Sequence, residues 1–294
     1  MSAIHSIQFL YTISGFAVGL LVGLTGVGGG SLMTPLLILL FGMHPAAAVG
    51  TDLLYAAATK SAGSVVHGLN RTVDWRVVRR LAAGSVPMTI VTIAALSYLD
   101  VNGPVTRQFI GAVLAFALLL TAATLVFRKA MVARYAARVG ALPPEQIALL
   151  TVLIGGVLGI LVSISSVGAG AIGVTALLLL YPKLPTARIV GSDIVHAVPL
   201  TLVAGIGHSF IGSIDWQIFA ALILGSIPGI LIGSYAAARV PETALRIVLA
   251  VTLVAVAMKL TFGLIPASTN VVAVQTTAQP EAIQLAPRPV SAKP

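Results

Sequence analysis

Apolar residues in this chain come in runs, and six of the runs have the length of a bilayer crossing: residues 45–69, 77–99, 105–127, 187–211, 217–238 and 243–264. About 20 predominantly apolar residues cross the hydrocarbon layer as a helix, so each run predicts one transmembrane helix. Two further stretches, 7–43 and 147–183, are apolar throughout but too long for one crossing. They are interrupted by "GLTGVGGGS" and "SISSVGAGA". Glycine weakens a helix by about 1 kcal/mol relative to alanine. Each of these stretches therefore predicts two helices around a break, the second of them short.

The pattern repeats. Gly19 falls on Gly159, Gly28 on Gly168 and Gly30 on Gly170 at an offset of 140 residues. From there an offset of 141 lays "VGTD", ending at Asp52, on "VGSD", ending at Asp193. At the same offset His67 meets His208, Asp74-Trp75 meets Asp215-Trp216, and "GSVP" ending at Pro87 meets "GSIP" ending at Pro228. Apolar similarity alone would not align rare Asp, His and Trp residues at one offset, so the chain is two halves. The expected organisation is a first membrane repeat over 1–127, a basic linker over 128–145, a second membrane repeat over 146–264 and a disordered tail over 265–294. The tail is rich in Pro, Ala, Gln, Thr and Ser and has no periodicity.

Composition agrees with a membrane protein: 58% of the 294 residues are hydrophobic, 9% are charged, and the mean hydropathy is +1.05. The net charge of +9 would suggest nucleic acid in a soluble chain, but the basic residues fall in short connections between apolar runs. That distribution is membrane orientation, and no nucleic-acid partner is expected. With no cysteine, thiolate metal sites, disulfides and cysteine nucleophiles are excluded. The first run has neither a basic flank nor an Ala-x-Ala site and is expected to be retained.

Charge also orients the halves. Arg128, Lys129, Arg134 and Arg138 place the linker in the cytoplasm, and the connection around Arg71, Arg76, Arg79 and Arg80 is basic as well. Its equivalent, "IGSIDWQ" at 211–217, has no basic residue; Lys183, Arg188, Arg239 and Arg246 carry the charge of the second half. Opposite bias in equivalent loops predicts opposite orientation. The expected fold is an all-α polytopic membrane protein of two inverted repeats, about five helices each, with a glycine-rich break between the first two helices of each half.

Broken helices within a bilayer need a protein-lined or water-filled cavity around their free backbone groups, and a helix N-terminus there suits an anion. Close helix packing by small residues is the alternative reading of the same glycines. Gly28, Gly29, Gly30 and Ser31, with Gly168 and Gly170, are thus candidate substrate-binding positions. On the helix after the first break, Asp52, Thr59, Lys60, Gly63 and His67 share one face about 100° wide. The second half repeats Asp193, Thr201 and His208, with Thr201 where the first half has Lys60.

Ionisable groups in a span often mark a substrate or ion path, which makes Lys60 and Thr201 candidate substrate contacts and Asp52, Asp193, His67 and His208 candidate coupling or gating residues. Each aspartate could instead cap a helix after its Thr or Ser neighbour, and the histidines could be interfacial. Asp74 and Asp215 read as N-caps, each followed by an interfacial tryptophan. G-x-S-x-G, Walker A and H-E-x-x-H are absent, so no enzyme, cofactor or metal site is expected.

"GLTGVGGGSLMTPLL" (23–37), "AVGTDLLYAAATKSAGSVVHG" (48–68) and "VDWRVVRRLAAGSVP" (73–87), with a weaker copy in the second half, resemble the TauE/SafE family of sulfite and sulfonate exporters. The resemblance covers nearly everything from Gly15 to Leu264. It implies a carrier in a cell membrane, a bacterial inner membrane among the options, that moves small sulfur-containing anions out of the cytoplasm. A passive anion channel or an uptake carrier would use the same donors. The other partners expected are the lipid bilayer, a coupled proton and, as an open option, a second copy in a homodimer.

Overall fold

The computed structural model describes residues 2–25, 30–100, 103–211, 214–236 and 242–264. Among these, the backbone forms α1 (Ser2–Thr25), α2 (Gly30–Phe41), α3 (Pro45–Leu69), α4 (Trp75–Ser97), α5 (Pro104–Val139), α6 (Pro144–Ser165), α7 (Ala171–Leu180), α8 (Thr186–Phe210), α9 (Trp216–Ala236) and α10 (Glu242–Leu264), with no strand. Five of them, α4, α5, α6, α8 and α9, are long and apolar enough to cross a membrane. α3 has 25 residues, but its polar side chains, Asp52 and Lys60 among them, dilute its apolar content.

Local chemistry sets the helix ends. His44 is the N-cap of α3, its Nδ1 accepting from the Ala46 N–H at 3.4 Å, and Pro45 occupies the first turn, where its missing N–H costs nothing. Asp74 starts α4 by accepting from the N–H groups of Arg76 (3.0 Å) and Val77 (3.2 Å). Asp215 does the same for α9 with Gln217 and Ile218, both at 3.0 Å. α5 does not stop near Phe127 but runs on to Val139, because "AMVARYAARV" is built of good helix formers. The basic segment expected as a linker is therefore helical over most of its length.

Between α6 and α7 the chain leaves helical geometry. Ser166 adopts a left-handed conformation at φ 59°, and Gly168 sits at φ 118°, a region that side-chain-bearing residues rarely enter. Gly170 is the N-cap of α7. The matching residues of the first half, 26–29, lie outside the described residues, as does the expected tail.

The helices pair across the two halves. α1 lies along α9 and α6 along α4, while α3 packs on α8 and α5 on α10. Glycines make the first two pairings close. A Cβ at Gly19 would approach the Ser226 carbonyl oxygen to 2.5 Å, and one at Gly159 the Ser85 carbonyl oxygen to 2.5 Å. Helices come together in a bilayer through such small-residue contacts, since burial from water contributes nothing there. α3 and α8 run antiparallel: Gly205 packs on Leu54, Gly63 on Ile194 and Gly191 on His67, so numbers rising along one helix fall along the other.

This packing carries a prediction. Gly159→Ala puts a methyl group against the backbone of α4 and should lower the melting temperature of the detergent-solubilised protein, the overpacking costing about 1–3 kcal/mol. Gly68→Ala, at a site with nothing within 4 Å, should leave it unchanged.

Candidate functional site

α3 and α8 pack side by side, and Asp52 and Lys60 on α3 share this pair of helices with Asp193 on α8. From the antiparallel pairing, Lys60 falls within about half a turn of the midpoint of the paired stretch, with Asp52 about 12 Å along the axis on one side and Asp193 about 8 Å on the other. Neither aspartate is a cap, because α3 starts at Pro45 and α8 at Thr186. Both are buried, Asp52 at 0% and Asp193 at 2% exposure, while Lys60 is half-buried.

The two carboxylates have different surroundings. Asp52 reaches α2, where its Oδ2 accepts from the Thr34 N–H (3.2 Å) and hydroxyl (2.6 Å). The side chain of Ser166, from the turn before α7, borders the same carboxylate. Asp193 instead lies against Gly173 in the first turn of α7, and its Oδ1 has no hydrogen-bond partner among the described residues. Its charged neighbour is Lys60, which also interacts with Asp52. A carboxylate beside the first turn of a helix is favoured by the backbone dipoles. An unpaired buried polar atom costs about 1–3 kcal/mol.

His196 belongs to this cluster and was not singled out by the sequence reading. It is fully buried on α8, one turn after Asp193, with its Nε2 2.8 Å from the Ser85 hydroxyl of α4, and it senses the Lys60 charge. Tyr55, its equivalent on α3, is buried beside Ser226 of α9 and near Asp52. Aligning the two halves finds the pair by position, but Tyr55 and His196 differ in type and Tyr55 looks like core in an apolar run.

Other expected residues lie apart. The His67 Nδ1 is 2.8 Å from the Thr72 hydroxyl at the end of α3, about 10 Å along the helix from Lys60. The His208 Nε2 is 2.9 Å from the Ser163 carbonyl oxygen, about 22 Å along α8 from Asp193. Thr201 commits its hydroxyl to the Ala197 carbonyl at 2.7 Å, and Thr59 donates to Tyr55 O at 2.9 Å. Gly168 and Gly170 form the turn into α7, and Gly30 opens α2. Ser31 is the second residue of α2, and Gly28 and Gly29 fall outside the described residues. An open groove between α4 and α8, lined by Ile93, Ala94, Ile206 and Phe210, is largely apolar and lacks the charged cluster. No group of three or more His, Asp or Glu among the described residues could hold a metal ion.

The two halves also hold each other at matched points outside the cluster. The N–H of Asp74 donates to the Ser192 hydroxyl at 2.8 Å, and the N–H of Asp215 donates to the Thr51 hydroxyl at 3.3 Å. Thr51 and Ser192 are equivalent, one residue before each aspartate.

The half-buried Lys60 thus stands between two buried carboxylates, and ionisable groups inside a helical membrane protein are candidates for a substrate or ion path. Comparison with known proteins agrees. The chain is 38% identical over 249 residues to the probable membrane transporter protein YjnA of Bacillus subtilis (strain 168), covering 84% of this chain and 97% of that one. It is 27% identical over 233 residues to a probable membrane transporter protein of Xylella fastidiosa (strain 9a5c), covering 77% and 83%. No solved structure matches it. The protein is a multi-pass integral membrane transporter and not an enzyme. The profile described as "Sulfite exporter TauE/SafE" matches residues 11–260, and the chain belongs to that family.

Proposed function

We propose that the protein is a secondary transporter that exports small sulfur-containing anions, such as sulfite or organosulfonates, by alternating access. The observation that carries this reading is Lys60, a cation midway along the α3–α8 contact with an aspartate on each side. Its charge suits a small anion. The family supplies the sulfur chemistry. Export of an anion from a negative-inside cell is already helped by about 2.3 kcal/mol per charge per 100 mV, so efflux does not require strong coupling.

Where coupling exists, the proton is the coupled ion. Asp52 is held by Thr34 of α2, and Asp193 stands where the first turn of α7 would otherwise attract an anion. An arriving anion is repelled by them unless a proton comes with it, shared between the anion and a carboxylate, which ties one proton to one anion. Gly28 to Ser31 and Gly168 to Gly170 then serve by letting backbone donors approach the anion. His67 and His208, with partners at the helix ends, act as gates more than as carriers.

Alternating access is served by two inverted repeats over 1–127 and 146–264. The antiparallel run of equivalent helices α3 and α8, and the matched pairings of α1 with α9 and of α6 with α4, support that arrangement. It makes a labelling prediction. Arg76 and Gln217 are equivalent, both exposed, and the chain has no native cysteine. Arg76→Cys and Gln217→Cys should react with an impermeant thiol reagent from opposite faces of the membrane. Reaction of both from one face would rule out inversion.

The functional test is efflux from proteoliposomes loaded with sulfite, methanesulfonate, sulfate or chloride. Saturable efflux of a sulfur anion well above that of chloride is expected. Equal, unsaturable passage of all four would assign a channel.

A further inference from the structure

Each half places a second polar group three residues after its aspartate, on the same helix face: Tyr55 after Asp52 and His196 after Asp193. Tyr55 is 1% exposed and His196 0%. Each meets a serine of the opposite half, Ser226 beside Tyr55 and Ser85 bonded to His196 Nε2. Yet the Tyr55 hydroxyl and His196 Nδ1 have no hydrogen-bond partner among the described residues, and neither do Asp52 Oδ1 and Asp193 Oδ1. Unpaired buried polar atoms are costly. Ser226 stands beside the Tyr55 hydroxyl and Ser166 beside the Asp52 carboxylate. The pair left open next to Lys60 is therefore Asp193 Oδ1 with His196 Nδ1, and it marks the place of a ligand.

The chemistry of the second pair specifies that ligand. A Ser85 hydroxyl that donates to His196 Nε2 leaves the imidazole proton on Nδ1, making it a donor. An ionised Asp193 only accepts. Lys60 supplies one positive charge next to both. The complement of these three is a small oxyanion with one oxygen to accept from the imidazole or Lys60 and one O–H to give to the carboxylate. A fully deprotonated oxyanion would set oxygen against oxygen.

We infer that His196 contacts the transported anion directly and, with Asp193, selects an oxyanion that still carries one proton, as hydrogen sulfite does. This rests on the exporter reading above and narrows its substrate. Of the helices packed on α8, α3 faces the imidazole with Lys60 and α4 with the Ser85 hydroxyl. α6 and α7 carry no titratable side chain apart from Glu145 in the first turn of α6. Asp193 is the charged neighbour on α8 itself, and Asp52 lies beyond Lys60.

The test is flux into proteoliposomes of sulfite across a pH series, and of methanesulfonate, which has no O–H, for wild type, His196→Phe and His196→Gln. For wild type, sulfite flux should fall as rising pH converts hydrogen sulfite to sulfite, and methanesulfonate should move at least about tenfold more slowly. His196→Phe should raise the KM for sulfite at least about tenfold, and His196→Gln, which keeps a buried donor, should stay within about threefold of wild type. Should His196→Phe fail to fold, the glutamine variant and the wild-type preference still decide. An unchanged KM in His196→Phe, or equal transport of methanesulfonate by wild type, overturns the inference and leaves the exporter standing. No flux of any sulfur anion by wild type overturns the exporter reading itself.

Discussion

Lys60→Met is expected to cut anion flux roughly 100-fold while leaving the protein inserted and folded. Hydrogen bonds to charged groups contribute about 1.5–3 kcal/mol, and at 1.4 kcal/mol per factor of ten the upper end corresponds to that loss. Methionine preserves the length and most of the apolar stem, so packing against α8 is kept. The charge alone is lost. Removing it also leaves Asp193 without its cation, and if the single variant is unstable, Lys60→Met with Asp193→Asn restores the balance of charge and should fold. Lys60→Arg should retain flux in part, since the charge survives but the planar guanidinium needs more room. Unchanged flux in well-folded Lys60→Met would remove this residue from the path.

Asp193→Asn is expected to abolish proton movement coupled to the anion, whereas Asp52→Asn should act mainly on stability. The two residues are equivalent in sequence but not in surroundings. Asp52 is held by two donors from Thr34, a carboxylate already provided for. Both carboxylates keep one oxygen without a partner among the described residues, but Asp193 has no donors like those of Thr34 and only the Lys60 charge to offset its own, so its charge state responds to what else occupies the site. An amide in its place cannot exchange a proton. In Asp193→Asn, anion flux should therefore persist without a matching proton flux and lose its pH dependence, as read by a trapped pH dye and labelled anion in the same liposomes. Asp52→Asn should keep the proton-to-anion ratio and lower the melting temperature. A strict sodium requirement at constant potential, with no pH effect in wild type, would contradict both outcomes.

Much of this was legible in the sequence for stated reasons. The run 45–69 became α3 residue for residue, since His44-Pro45 starts a helix and the "HGLNR" turn stops it. Asp74 and Asp215 cap their helices as the order Asp-Trp implied. Asp52 and Asp193 stood out because a carboxylate in an apolar run is rare. Their roles were harder to see: "TD" and "SD" look like helix starts, and only the structure puts them inside longer helices. Thr34, Ser85 and His196 act through contacts between residues 18 and 111 apart in the chain, and no local pattern encodes such a contact. Lys60 carried its own signal, being a lone cation in a long span.

The most direct measurement is counterflow. Proteoliposomes loaded with excess unlabelled sulfite and diluted into a trace of radiolabelled sulfite should show a transient accumulation of label above its equilibrium level. That overshoot arises only when a single site faces the two sides in turn. Lys60→Met should lose it. Label that rises monotonically to equilibrium in wild type, at a rate the internal sulfite does not alter, would contradict alternating access at the Lys60–Asp193 site.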